Sequence, residues 1–178
     1  MYLLNAQQVK RYVNARYANY LDILPWDESR QQHTAYYFGL GADYDVADGD
    51  GFATRRLTRS APLVVPPRAF LKIKSEEVFN LSEKVMGILG PVSDLADMGL
   101  QLVHSPFIDP IYHGHLMLGL VNHLDRDVAL DRGVAIGKVS FFDISDTYPV
   151  ELIPGSRAEQ KFRRRRPDRD DDPVHPQD

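Results

Sequence analysis

Phe107-Ile108-Asp109-Pro110-Ile111-Tyr112-His113-Gly114-His115-Leu116-Met117-Leu118-Gly119-Leu120-Val121-Asn122 is the stretch that decides how this chain folds. Residues 116–121 are apolar at every position, whereas a strand with one face in water alternates apolar with polar. Cover on both sides is therefore expected, from the core on one face and from a neighbouring sheet or a second subunit on the other. Asp109-Pro110 just ahead reads as a turn, since the aspartate can bond its own backbone and proline fixes φ. His113 and His115 lie two apart and would share one face of a strand.

Outward from this segment the texture stays β-like. Short apolar runs at residues 63–65, 69–73, 85–89 and 134–142 are separated by turn signals, and no long 3.6-residue period intervenes. A mainly-β barrel or sandwich carrying small helices is the expected architecture. One helix should open the chain: Asn5 suits the N-cap, Gln8 the reciprocal capping position, and Val9, Tyr12 and Val13 share a face. Residues 22–50 read as loops with short strands, with Gly39-Leu40-Gly41 as a turn.

Composition narrows the function classes. A length of 178 residues with 43% hydrophobic content fits one domain with a real core. A net charge of -4 lacks the basic footprint of a dedicated nucleic-acid or membrane-surface protein. The absence of cysteine removes disulfides, thiolate metal sites and the zinc-dependent nucleobase deaminases, whose metal is held by cysteines. No membrane span or signal-peptide layout is present, so the expected setting is soluble: cytoplasmic, or part of an intracellularly assembled particle. Residues 1–156 form the expected domain. Residues 157–178 form a charged, Pro-rich tail, basic at 161–166 and acidic at 170–172, read either as a solvated segment or as an arm for a protein partner.

The order and spacing of several pieces resemble the dCTP deaminase and dUTP diphosphatase family. They are the opening at residues 3–12, Ile23-Leu24-Pro25-Trp26-Asp27-Glu28 with residues 35–41, and Leu95-Ala96-Asp97-Met98-Gly99-Leu100. Phe107-Ile108-Asp109-Pro110 with Gly114 is similar to the family's central hairpin, and residues 130–142 with Gly133, Ile136 and Gly137 to its late strand. The resemblance implies a dUTPase-like distorted β-barrel with a short N-terminal helix, a homotrimer, pyrimidine deoxynucleotide sites between subunits, and Mg²⁺ on the triphosphate.

The same alignment alters the expected chemistry. The family reads Arg-Ser-Ser-Leu-Ala-Arg where this chain has Val92, Ser93, Asp94, Leu95, Ala96 and Asp97; only Ser93 is kept as a polar match for nucleotide binding. A charge-assisted hydrogen bond to phosphate contributes roughly 1.5–3 kcal/mol. An aspartate beside phosphates would instead repel them by on the order of 4 kcal/mol at about 4 Å in a dielectric near 20. The family's deaminase glutamate, the general base that activates water and is worth about 10²- to 10⁴-fold in rate, falls on Gly119. Asp109 matches the aspartate that activates water in the dUTP diphosphatases and is the one catalytic candidate.

His113 and His115 are weak metal candidates, since same-face histidines can ligate Zn²⁺, Fe²⁺ or Ni²⁺ in cupin-like proteins; equally they are surface or interface residues. Arg55, Arg56 and Arg59 form a basic patch that could bind an anion or simply face solvent. The expectation is a family fold without its catalytic set, acting as a trimeric binding or assembly protein and needing no cofactor. The alternatives are an active dCTP deaminase or dUTP diphosphatase, with Mg²⁺ accompanying the nucleotide, and a cupin-like metal-binding protein.

Overall fold

The computed structural model describes residues 1–14, 20–58 and 61–147. The elements are β1 (Tyr2–Leu3), α1 (Ala6–Asn14), β2 (Leu21–Leu24), β3 (Tyr36–Asp48), β4 (Gly51–Arg56), β5 (Leu63–Val65), β6 (Phe70–Leu81), β7 (Val85–Pro91), α2 (Ser93–Asp97), β8 (Leu100–Val103), β9 (Phe107–Ile108), β10 (His113–Asn122), β11 (Val128–Leu130) and β12 (Ala135–Asp143). A 3₁₀ turn at Glu28–Arg30 lies between β2 and β3. Arg59 and the tail at 157–178 lie outside the described residues.

Ten strands form one curled antiparallel sheet in the order β8-β10-β6-β3-β12-β7-β9, with β1 beside β12, β2 beside β6 and β4 beside β3; β5 and β11 pair separately. This is the mainly-β, dUTPase-like barrel expected from the sequence. Strand β3 is the joint that curls it. Residues 36–39 pair with β12, and from Leu40 onward the strand pairs with β6, with a register shift between Leu40 and Tyr44. The core where these halves meet is aromatic: Phe79 lies edge-on to Phe38 at 6.2 Å and to Tyr36 at 6.4 Å. Such pairs add roughly 0.5–1.5 kcal/mol each beyond area burial.

The N-terminal helix forms as its caps predict. Gln8 N–H donates to Asn5 Oδ1 at 3.0 Å, and Asn5 N–H donates to Gln8 Oε1 at 2.9 Å, a reciprocal capping box. Val9 is buried on the sheet.

Three expectations are corrected. Residues 39–41 are not a turn but lie inside the 13-residue β3. A Cβ on Gly41 would stand 2.7 Å from the Ser75 carbonyl oxygen and 2.9 Å from that of Lys74, so glycine here serves close strand packing. The apolar run 69–73 is only the first part of β6, which continues to Leu81 because its inward positions 75 and 77 are polar but hydrogen-bonded. Residues 107–122 are not a hydrogen-bonded hairpin: β9 pairs with β7, whereas β10 pairs with β6 and β8. Pro110 has no N–H to offer a ladder and Ile111 takes a φ of 64°, so the chain leaves one part of the sheet and enters another.

Candidate functional site

Strand β10 presents two faces, and the candidate site lies on the outer one. Leu116, Leu118, Leu120 and Asn122 point inward and are buried. His113, His115, Met117, Gly119 and Val121 point outward, and Met117 is 51% exposed. The expected cover on both faces therefore holds only in part within one chain.

Gly119 is the buried exception on that outer face. It pairs with Lys72 of β6 and Val103 of β8, and the Phe70 ring lies over it. A Cβ at 119 would stand 2.6 Å from Phe70 Cε2, 3.0 Å from Phe70 Cζ and 3.1 Å from Val103 Cβ. Phe70 is itself braced. Phe52 from β4 meets it edge-on at 6.3 Å, and Lys72 Nζ sits 3.4 Å above the Phe52 ring centre. The space that the resemblance assigns to a carboxylate is occupied by an aromatic ring.

Helix α2 carries the positions that the resemblance gives to phosphate binding. Val92, its N-cap, is buried and offers no side-chain cap. Ser93 is exposed, with its hydroxyl 3.4 Å from Asp94 Oδ1 as donor. Asp94 and Asp97 are exposed as well. Gly99 ends the helix at a φ of 72°, and a Cβ there would stand 2.5 Å from Leu124 Cγ. The backbone frame of the motif is thus kept while its cations are absent. Helix α2 offers no cation to a triphosphate; its exposed polar groups are the Ser93 hydroxyl and the Asp94 and Asp97 carboxylates.

The remaining candidates sit on separate elements. Asp109 is exposed in the link between β9 and β10. His113 Nδ1 is paired with Asn80 Oδ1, and His115 Nδ1 donates to the carbonyls of Ser75 at 2.9 Å and Glu77 at 3.2 Å. Among the described residues, no group of three or more His, Asp or Glu side chains could hold a metal ion. His115 lines an open cleft of about 120 Å³ beside β3 and β6.

The strongest electrostatic feature was not anticipated from the sequence. Glu77 is 1% exposed on the inward face of β6. Its Oε1 accepts from Arg30 Nη1 at 2.7 Å and from the Tyr36 hydroxyl at 3.5 Å, and its Oε2 accepts from Gly39 N–H at 3.0 Å. Arg30 also donates to Glu76 Oε2 at 3.3 Å and to the Gly133 carbonyl at 2.9 Å. Burial pushes the Glu77 carboxyl above its ordinary range even though Gly39 N–H and Arg30 pull the other way. Burial likewise pushes the Tyr36 hydroxyl up, with the Glu77 charge adding to it. The readable signal was the alternation Leu71, Ile73, Ser75, Glu77, Phe79, Leu81, which puts a carboxylate in line with core residues.

The curled antiparallel sheet, the opening capped helix and the short helix ahead of β8 define a dUTPase-like β-fold. The family model for dCTP deaminase-like proteins matches residues 3–144, and the chain belongs to that family. A dCTP deaminase (dUMP-forming) of Salinispora tropica is 33% identical over 132 residues, covering 73% of this chain and 59% of that protein. Its counterpart in Salinispora arenicola is 34% identical over 106 residues, covering 58% and 54%. The chain spans just over half the length of these curated relatives. The crystal structure of 2'-deoxycytidine 5'-triphosphate deaminase from Agrobacterium tumefaciens superposes with a TM-score of 0.65 at 12% identity, covering 78% of this chain and 47% of that one. No helix among the described residues is long and apolar enough to cross a membrane.

Proposed function

We propose that this chain is a non-catalytic member of the dCTP deaminase-like family, a homotrimeric binding or assembly module. The observation that carries the reading is Gly119 beneath Phe70: the deaminase glutamate's position has no side chain, and a ring fills the space one would need. Val92 and Asp97 in place of two arginines add to it, since they remove the cations that would hold phosphates. In this reading residues 1–156 form the domain, and the charged tail at 157–178 is the arm through which a protein partner is held, in the cytoplasm or in an assembled particle.

A second reading, an active dCTP deaminase or dUTP diphosphatase, draws on the relatives' named activity and on the exposed carboxylate of Asp109. One experiment separates the two. The full chain is incubated with dCTP or with dUTP plus Mg²⁺, the products are resolved by chromatography, and the oligomer mass is measured by light scattering. The expected result is a trimer that leaves both nucleotides intact. Formation of dUTP or dUMP above a buffer control would overturn the proposal.

A further inference from the structure

The cleft beside His115 is lined by charged side chains of both signs. It opens where β6 has an irregular neighbour on each side: β3 shifts register between Leu40 and Tyr44, and β10 shifts between His115 and Met117. Bulged strands splay, and the bulges leave a hollow over Ser75 instead of a flat ladder. Gly41 contributes no side chain to fill it, so a space of about 120 Å³ stays open.

Cations dominate its rim. Lys74 from β6, Arg56 from β4 and Arg132 ahead of β12 all line the hollow. Two carboxylates line it too: Asp43 lies 3.7 Å from Arg56 Nε, and Glu76 lies 3.3 Å from Arg30 Nη2, a guanidinium it shares with Glu77. Among the described residues, neither Lys74 nor Arg132 has an ion-pair partner. Two cations without an ion-pair partner therefore face one concave space, on a chain whose net charge is -4. Arginine and lysine so placed suit a compact oxyanion, the planar fork for paired oxygens and the ammonium as a point charge.

We propose that this cleft binds a phosphoryl dianion, held chiefly by Lys74 and Arg132 with Arg56 at the rim. It shares the outer face of β10 with Gly119, four residues along the strand from His115, and its lining includes no residue of helix α2. The reading does not depend on whether the chain is catalytic.

Inorganic phosphate is the probe, titrated into the full chain at constant ionic strength and followed by amide shifts in two-dimensional NMR. Saturable shifts should centre on residues 41–43, 74–76 and 132. Lys74→Gln and Arg132→Gln should each weaken binding by about tenfold, as removal of one charge-assisted hydrogen bond does. Arg68→Gln, which removes an exposed cation paired with Asp125, serves as the control and should leave affinity unchanged. Arg132 is exposed, so its variant keeps the fold even if Lys74→Gln does not. A parallel titration with a deoxynucleoside monophosphate tells the source: tighter binding assigns the group to an ester, equal binding to the free anion. Shifts that do not saturate, or that respond equally to Arg68→Gln and Arg132→Gln, would overturn the proposal.

Discussion

Strands β6 and β10 lie side by side, each breaks its own pattern, and the breaks are resolved in opposite ways. On β6 the break faces inward: Ser75 and Glu77 stand in a row of core residues and are met by donors. Leu116 N–H donates to Ser75 Oγ at 2.9 Å, and Arg30 and Gly39 N–H hold Glu77. On β10 the break faces outward: Gly119 interrupts an apolar row and is met by the Phe70 ring. Polar chemistry has been kept where it joins β3 to β6. It is missing where the family resemblance would place a reacting water.

The largest test of this contrast removes the inward partner. Arg30→Ala leaves Glu77 buried without its cation, a change that typically costs about 3–5 kcal/mol. The urea midpoint should fall accordingly. Glu77→Gln should cost less, because a neutral amide still accepts from Gly39 N–H and needs no counter-ion. If Arg30→Ala were as stable as the wild type, the network would be ornament and the contrast between the strands would collapse.

The outward break gives the second test. Gly119→Glu inserts a side chain against Phe70 and Val103, which are 41% and 46% exposed, so the cost should lie at the low end of the core overpacking range, about 1 kcal/mol. Combining it with Phe70→Ala should recover part of that loss, giving a coupling of roughly 0.5 kcal/mol or more between the two positions. Neither the single nor the double variant should turn over dCTP, since Val92 and Asp97 still leave the phosphates unheld. Deamination by the double variant would show that Val92 and Asp97 do not prevent nucleotide binding.

The difference between the strands also explains what the sequence disclosed. Helix α1 was legible because Asn5 and Gln8 satisfy each other locally, and β5 and β7 because their apolar runs are uninterrupted. The family was legible in spaced glycines and Asp109-Pro110, which answer to local backbone requirements. Strand β3 was not legible. Its glycines at 39 and 41 look like a turn until β6 and Arg30 are known to press against them: a Cβ on Gly39 would stand 2.4 Å from Arg30 Nη1. The Glu77 network was hidden for the same reason, because its members are drawn from residues 30, 36, 39 and 77 and only tertiary contact brings them together. The ring over Gly119 could not be read either, since nothing in a strand's pattern says which neighbour leans across it.

The smallest expected effect is also the most diagnostic, because two buried carboxylates should respond to pH with opposite signs. Asp143 is buried, which alone would raise its pKa. Acceptance of Ser145 N–H at 2.8 Å and of the Tyr2 and Tyr12 hydroxyls at 3.0 and 3.1 Å outweighs burial and holds it below the ordinary range. Its contribution is therefore present above an unfolded pKa of about 3.9 and is lost as pH falls through the folded value. For Glu77 burial wins and the folded pKa is raised. Its contribution is full below an unfolded pKa of about 4.3 and is lost as pH rises through the folded value. Each tenfold difference in proton affinity between folded and unfolded states is worth about 1.4 kcal/mol. Urea midpoints from about pH 3 to 7 should thus show Asp143→Asn losing ground to the wild type as pH rises through the lower part of that range. Glu77→Gln should gain on the wild type as pH rises through the upper part. A flat difference between Glu77→Gln and the wild type would mean that Arg30 and Gly39 N–H fully compensate the burial of Glu77; a slope parallel to that of Asp143→Asn would mean that they outweigh it.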